Sequence, residues 1–111
     1  MNTQNNKDLR KAFGMFPTGI TVVTAIDKEN KPIGMTVNSF SSVSLDPPLV
    51  LWSIAKKQPS YSLFLDANGY AVNILSKDQV KLCNHFASPL SDKFENINWK
   101  LSENGFPLIN D

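Results

Sequence analysis

The sequence predicts a mainly β, α+β domain: an antiparallel sheet or barrel with short helical inserts. Apolar runs rich in β-branched residues recur along the chain, and the turn-forming segments between them predict hairpins. About four strands and three short helices are expected. The 111 residues are expected to form one domain, 1–111. Because four strands cannot close a barrel alone, the sheet is open, is completed by a partner, or belongs to a longer protein of which this chain is a fragment.

The amino-terminal third predicts one helix and the first two extended segments. Leu9, Ala12, Phe13 and Phe16 share one face of a helix over about residues 6–15, which Pro17 ends. A run of β-branched residues predicts a strand over 19–26. The charged segment 27–32 predicts a hairpin turn into extended chain over 33–44.

The middle of the chain alternates strands and helices. The two prolines after Asp46 end the extended segment, because neither can donate to a strand ladder. The apolar run 49–54 predicts a central strand. A short helix over 60–65 and a strand over 70–75 follow.

The last third predicts one helix and then loop. Ser76 precedes a helix that reaches about Ala87, with Val80, Leu82, Cys83 and Phe86 on its buried side. From Ser88 onward we expect loop, in which four apolar anchors are scattered: Trp99, Phe106, Leu108 and Ile109.

Composition excludes several classes of function. Eleven basic and ten acidic side chains leave a net charge of +1, which argues against nucleic-acid binding. The apolar runs are too short to span a membrane, and the polar start lacks an apolar signal core, so we expect a cytoplasmic protein without a membrane partner. The aromatic content of seven Phe, two Trp and two Tyr predicts a dimer interface or a cofactor pocket.

The common catalytic and metal-binding motifs are missing from the sequence. The five glycines form neither a dinucleotide-binding fingerprint nor a phosphate-binding Walker loop, and no nucleophile elbow occurs. The single Cys83 and single His85 argue against a disulfide and against a zinc site. Two residues apart on a helix, they cannot face each other as a catalytic dyad. We expect both to be packing or surface residues.

Two polar segments are candidates for ligand binding. Residues 36–44 hold four serines, a threonine and an asparagine. They form either a half-exposed edge strand, which composition alone favours, or a polar wall for a flat heterocycle. Ser53, Lys56, Lys57 and Ser60 surround a helix start and form either a phosphate cradle or an ordinary solvated turn. A third segment, 86–94, places an aromatic residue, a turn and Lys93 after a helix.

Taken together, these segments resemble the flavin reductase family of the FMN-binding split barrel, the reductase components of two-component flavin-dependent monooxygenases. The specific combination is Phe16-Pro-Thr-Gly followed by Asn38-Ser-Phe-Ser-Ser-Val-Ser-Leu-Asp-Pro-Pro. Tyr70-Ala-Val-Asn-Ile-Leu, Phe86-Ala and Asp92-Lys-Phe continue the match in order. The resemblance covers nearly the whole chain.

The resemblance implies an NAD(P)H-dependent flavin reductase. NADH or NADPH would deliver hydride to FMN, or FAD, on a homodimeric barrel, and reduced flavin would pass to a partner oxygenase. It implies cofactor-binding roles along four segments: Thr36, Val37, Asn38 and Ser39 at the isoalloxazine, Ser53 and Ile54 at the ribityl chain, Lys57 and Ser60 (with Lys56) at the phosphate, and Phe86 and Lys93 in a closing loop. No catalytic side chain and no metal are expected, because the cofactor carries the chemistry.

The sequence departs from the family at its end. Members usually continue with further barrel strands and a Gly-Asp-His segment, whereas this sequence stops at Asp111. We therefore expect a chain that is incomplete at its carboxyl terminus. The alternative function is a non-catalytic flavin-binding or electron-transfer module.

Overall fold

A computed structural model of the chain describes residues 20–88 and 92–110. The helix predicted over 6–15 lies outside these residues. In chain order, the elements within the described ranges are β1 (Thr21–Ile26), β2 (Pro32–Val37), β3 (Ser41–Leu45), β4 (Pro48–Leu51), α1 (Tyr61–Asp66), β5 (Ala71–Ile74), α2 (Val80–Ala87), β6 (Trp99–Leu101) and β7 (Pro107–Ile109). The predicted fold class, antiparallel strands with short helices, is confirmed.

A three-stranded antiparallel sheet in the order β2-β1-β5 forms the centre of the fold. Strand β1 is the central strand because its β-branched residues are buried on both faces. The β1–β2 turn is built as predicted: both the Glu29 and Lys31 amides donate to the Asp27 carboxylate at 2.9 Å. Asn30 takes the left-handed conformation, with φ of 66°, that such a turn requires.

Consecutive residues of β1 point to opposite faces of the sheet and belong to two different hydrophobic clusters. On one face, Val22 packs with Phe86 of α2 and with Phe94. On the other, Val23 packs with Met35 and Val37 of β2. The second cluster is covered by partly buried side chains that include Trp52, Ile54 and Phe64. The sheet is therefore covered on both faces, by α2 and the carboxyl-terminal segment on one and by the segment around α1 on the other.

Buried polar side chains fasten the carboxyl-terminal segment to the sheet. The Thr24 hydroxyl donates to the Pro107 carbonyl at 2.6 Å. The Asn73 amide donates to the Val22 carbonyl at 3.0 Å and to the Thr24 hydroxyl at 3.2 Å, and its oxygen accepts from the Ile109 amide at 3.0 Å. One side chain thus links β5, β1 and β7.

Two predictions for the strands are wrong. The segment 33–44 is not continuous, because β2 ends at Val37 and β3 begins at Ser41. The run 49–54 does not form a central strand: β4 pairs with β3 in a two-stranded hairpin, and all four of its residues are exposed. Pro48 begins β4, a position at which a missing N–H is tolerated. The first part of the apolar run therefore lies exposed on a hairpin, whereas Trp52 and Ile54 beyond it pack against the second hydrophobic cluster.

The prediction of loop after Ser88 is also wrong. Residues 99–101 and 107–109 form the β6–β7 hairpin, whose strands of three residues are too short to produce a visible alternation. The predicted anchors Trp99 and Ile109 do pack against the first hydrophobic cluster. Among the described residues, the helices are too short and too polar to cross a membrane.

Candidate functional site

Two neighbouring cavities lie along β2, one beside its carboxyl end and the other beside its first three residues. The strand-end cavity, of about 220 Å³, is lined by Met35, Thr36, Val37, Asn38, Ser39, Ser53, Ala55, Gln58, Phe86, Ala87 and Lys93. The helix cavity, of about 310 Å³, is lined by Pro32, Ile33, Gly34, Gln58, Pro59, Ser60, Leu63, Ala87, Ser88 and Lys93. Three residues line both cavities: Gln58, Ala87 and Lys93. The helix cavity alone reaches the lower end of the range of about 300–1,000 Å³ typical of small-molecule sites.

The alternation of β2 brings polar groups to the strand-end cavity. Val37 is buried in the second cluster, so Thr36 points to the other face of the sheet, where its hydroxyl donates to the Cys83 carbonyl at 2.6 Å. Beyond the strand, the Ser53 amide donates to the Ser39 hydroxyl oxygen at 3.0 Å. This bond joins the two chain segments that the resemblance places around the flavin.

A glycine on β2 allows Phe86 to lie against the sheet. A Cβ on Gly34 would lie 2.8 Å and 2.9 Å from ring atoms of Phe86, and 3.2 Å from Phe94. Phe86 is fully buried, and its ring meets that of Phe94 edge-on at 5.1 Å. The absence of a side chain at Gly34 therefore leaves room for the Phe86 ring, and Phe86 in turn positions the end of α2 beside the strand-end cavity.

The segment carrying Lys93 is fastened to the end of α2. The Lys93 ammonium donates to the Phe86 carbonyl at 2.9 Å. His85 Nε2 lies 2.6 Å from the Lys93 carbonyl, and because a carbonyl only accepts, this nitrogen carries the proton. Burial lowers the pKa of Lys93, since desolvation disfavours its charged form. The Phe94 amide donates to the Asp92 carboxylate at 3.1 Å, which caps this turn.

The structure brings together most of the site residues predicted from the sequence. Seven line the strand-end cavity: Thr36, Val37, Asn38, Ser39, Ser53, Phe86 and Lys93. Ser60 lines the helix cavity. Ile54 packs against the second hydrophobic cluster, and Lys57 is exposed; neither is among the residues that line the two cavities.

The helix start that follows Lys57 differs from the predicted cradle. The Tyr61 amide donates to the Gln58 carbonyl at 3.1 Å and is not free for a ligand. The Ser60 hydroxyl does not cap α1; its contact is with the Met35 sulfur at 4.0 Å. At this end of the helix cavity the Tyr61 amide is thus engaged within the turn, whereas the Ser60 residue lines the cavity.

Ten of the residues that line the two cavities were not predicted as site residues, Gln58, Gly34 and Ala87 among them. Gln58 lies between Lys57 and Ser60, which were both predicted to bind the phosphate. Its position in that segment was the sequence signal that could have identified it. Gly34 lies on β2, two residues before the predicted Thr36. Ala87 follows Phe86 and has no chemistry to mark it. Across the described ranges, no group of three or more His, Cys, Asp or Glu side chains is placed to hold a metal ion.

A profile of the flavin reductase like domain matches residues 13–111. The chain belongs to this family. The predicted resemblance is thereby confirmed, and it extends over nearly the whole sequence.

Flavin reductase relatives share close to half of the aligned residues. The reductase component of a flavin-dependent trigonelline monooxygenase from Acinetobacter baylyi is 50% identical over 103 residues, which cover 93% of this chain and 33% of that protein. An FMN reductase (NADH) from Agrobacterium fabrum is 47% identical over 106 residues, which cover 96% of this chain and 60% of that protein. The chain thus spans about a third to three-fifths of the length of these two relatives.

A solved flavin reductase structure has the same fold. The Streptomyces globisporus NADH:FAD oxidoreductase, in complex with NAD and FAD fragments, superposes with a TM-score of 0.84 at 42% identity. The alignment covers 98% of this chain and 66% of that one. The predicted FMN-binding split-barrel fold class is confirmed.

Proposed function

We propose that this chain carries the flavin site of an NAD(P)H-dependent flavin reductase, which transfers hydride from NADH or NADPH to FMN, or FAD. The observation that carries the proposal is the strand-end cavity, where the end of β2, Ser53, Phe86 and Lys93 meet. The relatives named above as an FMN reductase (NADH) and as a monooxygenase reductase component support it. Reduced flavin would then pass to a partner oxygenase.

The chemistry of the cavity walls fits a flavin. A flat heterocycle with polar edges needs apolar contact with its faces and hydrogen-bond partners around its rim. The exposed Ala55 and Ala87 supply apolar surface, while Asn38, Ser39 and Ser53 supply amide and hydroxyl groups. Side chains of both kinds line the same space.

In the proposed reaction, bound flavin supplies the hydride acceptor, and the protein binds and orients the two reactants. The bond from Thr36 to the Cys83 carbonyl holds the end of β2 against α2. The bond between Ser39 and Ser53 fixes the polar rim, and the fully buried Phe86 anchors the end of α2 that borders the cavity. Such fixed walls favour a productive arrangement of the reactants. No residue of this chain is assigned an acid or base role.

The proposed phosphate contacts lie beside the ring site. Ser60 faces the helix cavity, which supports its role at the flavin phosphate. Lys57 is the neighbour in sequence of Gln58, which lines both cavities. The long, exposed side chain of Lys57 is proposed to reach the edge of the cavities from this position. Ser53 lines the strand-end cavity and remains assigned to the ribityl chain. Ile54 is assigned to the same chain through its backbone, because its side chain packs against the second hydrophobic cluster.

The proposal also includes assembly and location. A homodimer is expected because apolar side chains of the β3–β4 hairpin are exposed, with Leu45 at 94%. A cytoplasmic location would place the reductase where NADH and NADPH are supplied.

The proposal is tested by flavin titration and by NADH oxidation. Flavin fluorescence should show binding of FMN to the wild-type chain, and added FMN should stimulate NADH oxidation. Asn38→Leu should weaken flavin binding by about 1–2 kcal/mol, roughly 5- to 30-fold, through a lost hydrogen bond. Its thermal stability without flavin should be nearly unchanged, because Asn38 is exposed beyond the strand.

Asn84→Leu is the matched control, since Asn84 is exposed on α2 and does not line either cavity. An Asn38→Leu dissociation constant equal to that of the control would reject this placement of the site. Flavin binding without NADH oxidation would favour the alternative, a flavin-binding or electron-transfer module.

A further inference from the structure

One positive charge faces both cavities. Among the described residues that line them, Lys93 is the one lysine or arginine. Its ammonium is held at a defined place by its hydrogen bond to the Phe86 carbonyl. A carbonyl at the end of α2 is a favourable partner for a cation, because the carboxyl end of a helix carries partial negative charge. This contact positions the charge without neutralising it.

The Lys93 charge is only partly compensated within the protein. Within the part of the chain that the structure describes, neither ion pair involves Lys93: these pairs join Lys28 to Asp66 and Lys31 to Glu29. The side chain is half-buried, and desolvation lowers its pKa. An ammonium has three donors, and one is used by Phe86. A half-buried cation that keeps free donors in a cavity is favourable when an anion binds there.

The helix cavity also offers a hydroxyl. Ser60 lines this cavity together with Lys93, and its hydroxyl does not cap α1 but contacts the Met35 sulfur, a weak acceptor, at 4.0 Å. An ammonium and a hydroxyl that line one cavity are suited to a phosphate, which accepts from both through different oxygens. Lys57 differs from Lys93 because its side chain is exposed, where solvent and salt weaken the interaction of charges.

We propose that Lys93 is the principal phosphate-binding cation of this site, acting with the Ser60 hydroxyl across the helix cavity. The inference rests on the proposed function and assigns the residue that meets the charge of the nucleotide. The phosphate belongs either to the flavin or to the pyridine dinucleotide, and the experiment separates these two sources.

The test compares FMN with riboflavin, which lacks the phosphate, on the wild-type chain, Lys93→Gln and Lys93→Arg. Lys93→Gln should weaken FMN binding about tenfold or more, the effect of losing a charge-assisted hydrogen bond, and should change riboflavin binding less than about twofold. Lys93→Arg keeps the charge and should retain most of the FMN affinity. Lys81→Gln, which removes an exposed lysine of α2, is the control and should leave both affinities unchanged.

A measurement on the wild-type protein avoids any loss of folding in the variants. In protein labelled with ¹⁵N-lysine, the Lys93 Nζ resonance should shift on addition of FMN but not of riboflavin. Steady-state kinetics provides the other arm: a Lys93→Gln variant with unchanged FMN affinity but a KM for NADH raised about tenfold would support binding of the dinucleotide phosphate.

Equal losses for FMN and riboflavin would overturn the inference, because they would show a structural role or a contact with the ring. Unchanged FMN affinity together with an unchanged KM for NADH would also overturn it. If the wild-type chain bound neither flavin, the proposed function itself would fail and the inference with it. Normal wild-type binding with an insensitive Lys93→Gln variant would reject the inference alone.

Discussion

Replacing Gly34 by alanine tests whether the position of Phe86 depends on the absence of a side chain. The added Cβ would lie 2.8 Å and 2.9 Å from two Phe86 ring atoms, closer than real Cβ atoms approach their neighbours. Phe86 is fully buried and touches Phe94, so its ring cannot turn aside without disturbing the first hydrophobic cluster. We expect Gly34→Ala to destabilise the fold and to displace this wall of the strand-end cavity.

The expected magnitude follows from two opposing terms. Overpacking of a close-packed core destabilises by about 1–3 kcal/mol. Replacing a strand glycine recovers about 0.5–1 kcal/mol of backbone entropy. The net loss should be about 1–2 kcal/mol, which for a domain of this size lowers Tm by about 4–8 °C.

The assay is a double-mutant cycle with Phe86→Leu, followed by thermal and urea unfolding. Phe86→Leu alone should destabilise by about 1–3 kcal/mol through the cavity it leaves. It also removes the ring atoms that the new Cβ would strike, so the double variant should be at least about 1 kcal/mol more stable than additivity predicts. Gly105→Ala is the control, because its strain comes from a φ of 87° and nothing lies within 4 Å of the added Cβ. Additive energies for Gly34 and Phe86, or an unchanged Tm for Gly34→Ala, would refute the reasoning.

Two further predictions concern the stability and assembly of the chain. Asn73→Ala removes three hydrogen bonds that join β5, β1 and β7, and urea titrations should show a free energy of unfolding lower by about 2–4 kcal/mol. The control is Asn68→Ala, which changes an exposed asparagine, and an equal loss of stability in both variants would contradict this prediction. Light scattering at micromolar concentration should give about twice the monomer mass, because Val43, Leu45 and Leu51 are 57%, 94% and 56% exposed on one hairpin. A stable monomer would rule out the dimer.

Local sequence patterns predicted β1 and its turn correctly, because there the apolar run and the turn residues each have a single structural explanation. The β-branched run of β1 is buried on both faces, and Asp27 and Asn30 supply the conformations that its turn requires. The run that includes β4 has the same apolar character, yet the β4 residues themselves are exposed on a separate hairpin. Periodicity cannot distinguish these cases, because burial depends on which partners the topology supplies.

The candidate site shows a similar limit. The polar stretch 36–44 left open the choice between an edge strand and a binding wall, and the structure divides the stretch into two parts. Residues 36–39 end β2 and line the strand-end cavity, whereas Ser41–Leu45 forms the exposed strand β3. Composition could not separate these two parts, because the boundary between them is set by the end of β2 at Val37 and the start of β3 at Ser41. The resemblance, which was based on the order of motifs, selected the half that lines a cavity.

The strand-end cavity is bordered by residues of both hydrophobic clusters. Phe86 belongs to the cluster around Val22, and Met35 and Val37 belong to the cluster around Val23, yet all three line the strand-end cavity. Its apolar walls are therefore extensions of both cores and cannot move independently of them. The polar groups at Asn38, Ser53 and Lys93 lie outside regular strands and helices, where substitution leaves the cores intact. Changes at these positions should therefore act on ligand binding, whereas changes in the apolar walls should act on binding and folding together.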